Sequence, residues 1–157
     1  TMIVLKKTFT LILFLFLSSC GYEAIHSKKN SINYDFSIKQ ITLNGDRDIN
    51  LKIKQKLNNY TLTKKDKNFT LKVSTITDKA VLAKNTSGDP TSFKNTIIVN
   101  VEVLIENNFK NNLQFIESFN YNNIDNKFDL KIYEREIRNN LAEIASDKLI
   151  LKLSNIQ

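Results

Sequence analysis

One residue in this chain is set up for covalent chemistry. Cys20 follows Leu17, Ser18 and Ser19, so an apolar side chain stands three residues ahead of it with two small ones between. Lipoprotein signal peptidase needs that pattern, because it cuts just before a cysteine whose thiol already carries diacylglycerol. Lys6 and Lys7 supply positive charge upstream, and Thr8 to Leu17 (TFTLILFLFL) is uncharged and apolar. A bilayer span takes about 20 such residues, whereas this run has the length of a signal h-region. Residues 1–19 are therefore expected to be a lipoprotein signal peptide, excluded from the fold, with translation starting at Met2 rather than Thr1. The competing reading is an ordinary secretory signal followed by an incidental cysteine.

Cys20 is also the only cysteine, so no intramolecular disulfide can form even where disulfides are permitted. After cleavage its amine becomes a second acylation point. Each buried methylene contributes about 0.8 kcal/mol, so several acyl chains anchor a protein stably without spanning the bilayer. Residues 20–33 are polar, with Ser27-Lys28-Lys29-Asn30-Ser31 at their centre, and read as a lipidated tether.

The other residues able to do chemistry are sparse. The single histidine, His26, falls in the tether, which cannot hold the partners that a metal site or catalytic triad requires. Asp46 and Asp48 are explained by a helix amino end. Glu134 and Glu136 are expected on the outer face of the last helix. Gly88 sits in a loop tip, and three glycines in the whole chain cannot build a phosphate cradle. No enzyme activity, catalytic residue, metal or cofactor is expected. Lys84 and Lys94 flank the Gly88 tip and are the candidates for contact with anionic groups or lipopolysaccharide.

Charge narrows the partners. The chain carries +7, and without Lys6 and Lys7 the remainder is about +5. That balance suits anionic lipid or polysaccharide. Nucleic acid is a poor partner for a chain tethered outside the cytoplasm.

These residues must be positioned by a domain over residues 34–157, a length suited to one domain. Tyr34, Phe36 and Ile38 alternate, and Ile41 and Leu43 resume after a parity shift, which predicts a strand with a bulge near Gln40. Asn44-Gly45-Asp46 makes a turn. Ile49, Ile53, Leu57 and Tyr60 then follow at helical spacing, with Asp46 or Asp48 at the amino end. Phe69, Leu71 and Val73 begin a second strand that can continue past Ile76 to Val81. Asn85 to Pro90 breaks the chain. Ile97, Val99, Val101, Val103 and Ile105 predict the longest strand. Asn107 to Asn112 reads as a polar turn, and Leu113, Phe115, Phe119 and Tyr121 return, with Ile116 out of step. Asn122 to Asp129 is a loop. Tyr133, Ile137, Leu141, Ile144 and Leu149 then give one face of a final helix, capped by Asn126 or Asp129. The expected fold is α+β in the order βαβββα, a two-layer sandwich with two helices on one face of a four-stranded, mostly antiparallel sheet. On the other face Lys72, Ser74, Asn100, Glu102 and Glu106 should lie together.

Leu17-Ser18-Ser19-Cys20-Gly21-Tyr22, the strand into Gly45-Asp46-Arg47, the helix ending near Leu57 and the hairpin around Asn107 to Asn112 form one pattern. Tyr121-Asn122 before a helix with Tyr133, Glu134, Leu141, Ala142 and Leu149 completes it. Over nearly the whole mature chain this pattern resembles the LPS-assembly lipoprotein family, LptE. The resemblance implies an outer-membrane lipoprotein, lipid-anchored and facing the periplasm, that sits as a plug in the β-barrel LptD. It also implies help with folding that barrel and with inserting lipopolysaccharide into the outer leaflet. Gly21 agrees with that address, since aspartate there commonly retains lipoproteins at the inner membrane. The alternative is a generic periplasmic lipoprotein that binds an envelope polymer or another envelope complex.

Overall fold

Alternating apolar residues need a sheet that is buried on one side, and the computed structural model has one. It describes residues 35–62, 64–105 and 108–156. The signal peptide, Cys20, the tether with His26, Tyr34 and Glu106 lie outside the described residues. Strands β1 (Ser37–Gly45), β2 (Asn68–Lys84), β3 (Pro90–Ile105) and β4 (Asn108–Asn122) follow one another in space. Helix α1 (Arg47–Thr61) joins β1 to β2, and α2 (Lys127–Ser154) follows β4. β1 runs parallel to β2, and the other two pairings are antiparallel. The order βαβββα and the α+β class match the sequence pattern.

Every strand sends its apolar alternate residues to the same face. Phe69, Leu71 and Val73 of β2, Ile97, Val99, Val101 and Val103 of β3 and Phe115 of β4 are buried there. Ile49, Ile53 and Leu57 of α1 and Ile137, Leu141, Leu149 and Leu153 of α2 close over them in one core. At the bulge, Ile38 pairs with Phe69 and Gln40 with Thr70, which leaves Lys39 as the extra residue. That slip returns Ile41 and Leu43 to the core side after Ile38. Asp46 caps α1 by accepting from the backbone N–H of Asp48 and Ile49 at 3.0 and 3.1 Å. Asn126 caps α2 in the same way through Phe128 and Asp129. Asp48 and Asp129 stand instead in the first turns, where the helix dipole favours them.

Three local expectations give way. Asn108 to Asn112 belongs to β4 rather than to a turn. Backbone pairing with β3 carries this mostly polar segment on a strand whose outer edge is open, and a bulge opposite Val103 and Leu104 absorbs one of its residues. Ile116 keeps register with its neighbours, because Leu113, Phe115 and Tyr121 turn toward the helices while Ile116 points to the open face. The buried stripe of α2 runs through Glu134, Ile137, Leu141, Ala142, Ala145, Ser146, Leu149 and Ile150, leaving Tyr133 and Ile144 at its exposed margin. Small Ala142 and Ala145 let the helix approach the sheet and α1 closely, so the face is set by packing rather than by the largest side chains.

The helices are joined outside the core as well. Lys56 reaches Glu143 at 2.8 Å and Asp147 at 3.1 Å, and Lys52 reaches Glu143 at 3.3 Å. The Glu143 carboxylate beside it raises the Lys56 pKa, and the two lysines lower that of Glu143. These groups are well solvated, so their contribution to stability is small.

Candidate functional site

The face of the sheet that no helix covers is a ladder of ranked rows. Thr42, Lys72, Glu102 and Asn112 align across all four strands, and Asn44, Ser74, Asn100 and Gln114 form the next row. Within these rows Lys72 pairs with Glu102 at 3.2 Å, and the Gln114 amide donates to Asn100 at 2.8 Å. Together they line a shallow concavity of about 650 Å³. Lys72, Ser74, Asn100 and Glu102 thus lie side by side as the alternation required.

The third row is apolar. Ile76 pairs with Ile98 and Ile98 with Ile116, which makes an isoleucine band across β2, β3 and β4. Ile76 and Ile116 are each more than half exposed. Beyond the band come Asp78, Thr96 and Ser118, then Ala80, Lys94 and Asn120. An apolar band bordered by hydrogen-bonding side chains is the anatomy of a protein interface with a wet rim. The sequence hid it because a cross-strand row is visible only once both registers are known.

Lys94 is half-buried on this face, between Ala80 and Asn120, whereas Lys84 is exposed near the end of the β2–β3 hairpin, opposite Pro90. Ala80, the partner of Lys94, stands roughly 13 Å from Lys84 along β2 at strand rise. The two lysines are separate points rather than one cluster. The tip itself is held by Asn85, whose side-chain oxygen accepts from Ser87 and Asp89 at 3.0 and 2.8 Å.

Under this end of the sheet lies a polar hub where helical spacing predicts a solvent-facing carboxylate. Glu134 is not on the outer face of α2, and its side chain is only 12% exposed. Its Oε1 accepts from Lys79 at 2.5 Å and from the Tyr121 hydroxyl at 2.8 Å. Lys79 also stands 4.0 Å from the centre of the Phe93 ring, and Tyr121 packs on Phe93 and Tyr133. Burial first, and then the Glu134 carboxyl that takes its hydrogen bond, push the Tyr121 hydroxyl well above the ordinary tyrosine pKa. Glu136 is exposed, as expected. This hub fastens the far part of β2, which β1 does not reach, to α2. No group of three or more potential metal ligands occurs among the described residues.

One buried donor on the helix side is unspent. Asn95 is 2% exposed between Phe93 and Ile97, and its amide nitrogen has no hydrogen-bond partner. Such a donor costs about 1–3 kcal/mol. Asn95→Leu, of similar volume, is expected to stabilise the domain by about 1 kcal/mol and raise Tm by about 5 °C. A thermal melt below that of the unaltered protein would contradict it.

The same arrangement of strands and helices occurs among solved structures. A minor lipoprotein from Acinetobacter baumannii matches with a TM-score of 0.54 at 11% identity, over 74% of this chain and 90% of that one. A lipoprotein B from Nitrosomonas europaea matches with a TM-score of 0.50 at 13% identity, over 77% and 86%. Rare lipoprotein B from Shewanella oneidensis gives 0.49 at 12% identity, over 72% and 98%. The fold is shared with bacterial lipoproteins. Sequence comparison finds no matching family model and no matching curated protein.

Proposed function

We propose that this chain is a noncatalytic outer-membrane lipoprotein of the LptE type, held by lipid on Cys20 and seated as a plug in the LptD β-barrel. There it helps the barrel assemble and deliver lipopolysaccharide to the outer leaflet. The observation that carries this reading is the union, in one chain, of the Leu17–Cys20 cleavage pattern with a fold that a solved lipoprotein shares at a TM-score of 0.54. The open sheet face supports it, because polar rows around an isoleucine band suit contact with the water-lined interior of a barrel. Lys84 and Lys94, toward the β2–β3 hairpin, are the residues that would meet lipopolysaccharide phosphates.

Copurification from detergent-solubilised outer membranes tests the reading. LptD should come down with this protein, and depletion should leave the barrel misassembled. Ile98→Lys puts an unpaired charge in the middle of the isoleucine band without touching the core, and should cut recovery of LptD by roughly tenfold or more. Normal barrel assembly and surface lipopolysaccharide after depletion would leave the generic envelope lipoprotein as the answer.

A further inference from the structure

The opposite end of the domain carries a second charged surface that the barrel reading does not use. Lys39, Lys64, Lys65 and Lys67 line a concavity of about 660 Å³ in which Asp66 is the only acidic lining residue among the described residues. Lys39 is there because the β1 bulge turns the extra residue outward. Lys64, Lys65 and Lys67 follow the end of α1, and Lys67 donates to the Ile156 carbonyl at 2.7 Å, which ties this loop to the end of α2. The Ser37 hydroxyl, on the first residue of β1, donates to Asn68 and accepts from the Lys65 backbone at 3.3 Å, so the concavity is built into the fold. Beside it Leu62 is 75% exposed.

We propose that this basic concavity docks on the anionic phospholipid headgroups of the leaflet that holds the anchor, with Leu62 entering the interface. The inference rests on the lipid anchor of the proposed function. Two observations select this occupant. The first is charge: among the described residues four lysines against one aspartate complement phosphate groups, and an apolar side chain beside basic ones suits the headgroup boundary. The second is connectivity. The described domain begins at Asp35, two residues before Ser37 on the rim of this concavity. Residues 20–33 reach at most about 50 Å, however they are arranged. A lipid on Cys20 therefore keeps this end near a headgroup surface at a high effective concentration, where weak electrostatic contacts suffice.

The test uses the full lipidated protein in vesicles of phosphatidylethanolamine, alone or with phosphatidylglycerol added. Once Cys20 carries lipid, Thr61→Cys supplies the single free thiol for a fluorophore, and brominated lipids report its contact with the bilayer. Quenching should rise at least threefold with phosphatidylglycerol and fall back in high salt. Lys39→Glu with Lys64→Glu should abolish the rise, and the two lysine-to-arginine changes should keep it. With residue 20 shown by mass to be lipidated, quenching indifferent to phosphatidylglycerol or to the charge reversal overturns this inference alone. Residue 20 found unmodified overturns the anchor and this inference together.

Discussion

Gly45→Ala is expected to destabilise the domain by about 3–5 kcal/mol and lower Tm by roughly 15 °C or more. Gly45 has a φ of +100°, and an added Cβ would stand 2.0 Å from the Thr75 carbonyl oxygen. That oxygen belongs to the backbone of β2, so no side-chain rotation can relieve the overlap. Several bonds meet there. Thr75 is buried and donates through its hydroxyl to the Asn50 side chain at 2.9 Å, the Asp46 backbone N–H approaches the Thr75 carbonyl at 3.4 Å, and the Asp46 side chain caps α1. Moving Gly45 away therefore loosens the parallel β1–β2 pairing and the helix cap together. Gly88→Ala is the internal control. Gly88 also has a positive φ, of +89°, but an added Cβ there meets nothing within 4 Å. It should cost only the backbone strain, about 1 kcal/mol. Circular dichroism melts of the two variants separate the close approach from the dihedral. Similar Tm losses for both would refute the close approach as the cause.

The contrast between these glycines shows what a sequence can display. Gly45 was legible as a turn because Asn44-Gly45-Asp46 separates a strand pattern from a helix pattern, and the bulge near Gln40 was legible as a parity shift. Both are local signals within one element or at its end. Glu134 is buried against expectation because the large residues Tyr133, Ile137, Leu141 and Ile144 suggest one helical face, whereas packing against the sheet and α1 rotates the buried stripe toward Ala142, Ala145 and Ser146. Asn108 to Asn112 looks like a turn in sequence because its polarity resembles turn chemistry, and only pairing with β3 makes it a strand. The isoleucine band and the basic concavity depend on residues from several elements, so neither can be read from any single segment. Lys84 and Lys94 both flank a loop tip in sequence, and their separation along the hairpin emerges only from the register.

Glu134→Leu is expected to cost about 2–3 kcal/mol, even though it replaces a charged residue in a mostly apolar site. Leucine would leave the Tyr121 hydroxyl buried without its acceptor and Lys79 without the carboxyl that holds it at 2.5 Å. Lys79 is 40% exposed and can turn to water, which keeps the loss below that of a fully buried pair. Glu134→Gln keeps an acceptor for Tyr121 and should cost about 1 kcal/mol. Because the hub is what joins the far half of β2 to α2, the Leu variant should also raise amide exchange between Ile76 and Lys84 before the rest of the domain opens. Tyr121→Phe isolates the proton. The tyrosine pKa is raised in the folded state, so its contribution is complete below the unfolded pKa of about 10 and is lost as pH climbs from there toward the folded value. The unaltered protein should therefore lose more stability above pH 10 than the Phe variant does. A double-mutant cycle of Glu134→Gln with Lys79→Met should give a coupling of about 1 kcal/mol, since the pair is only partly desolvated. A coupling near zero, with unchanged exchange in the hairpin, would mean that aromatic packing of Phe93, Tyr121 and Tyr133 alone holds this end of the sheet on its helix.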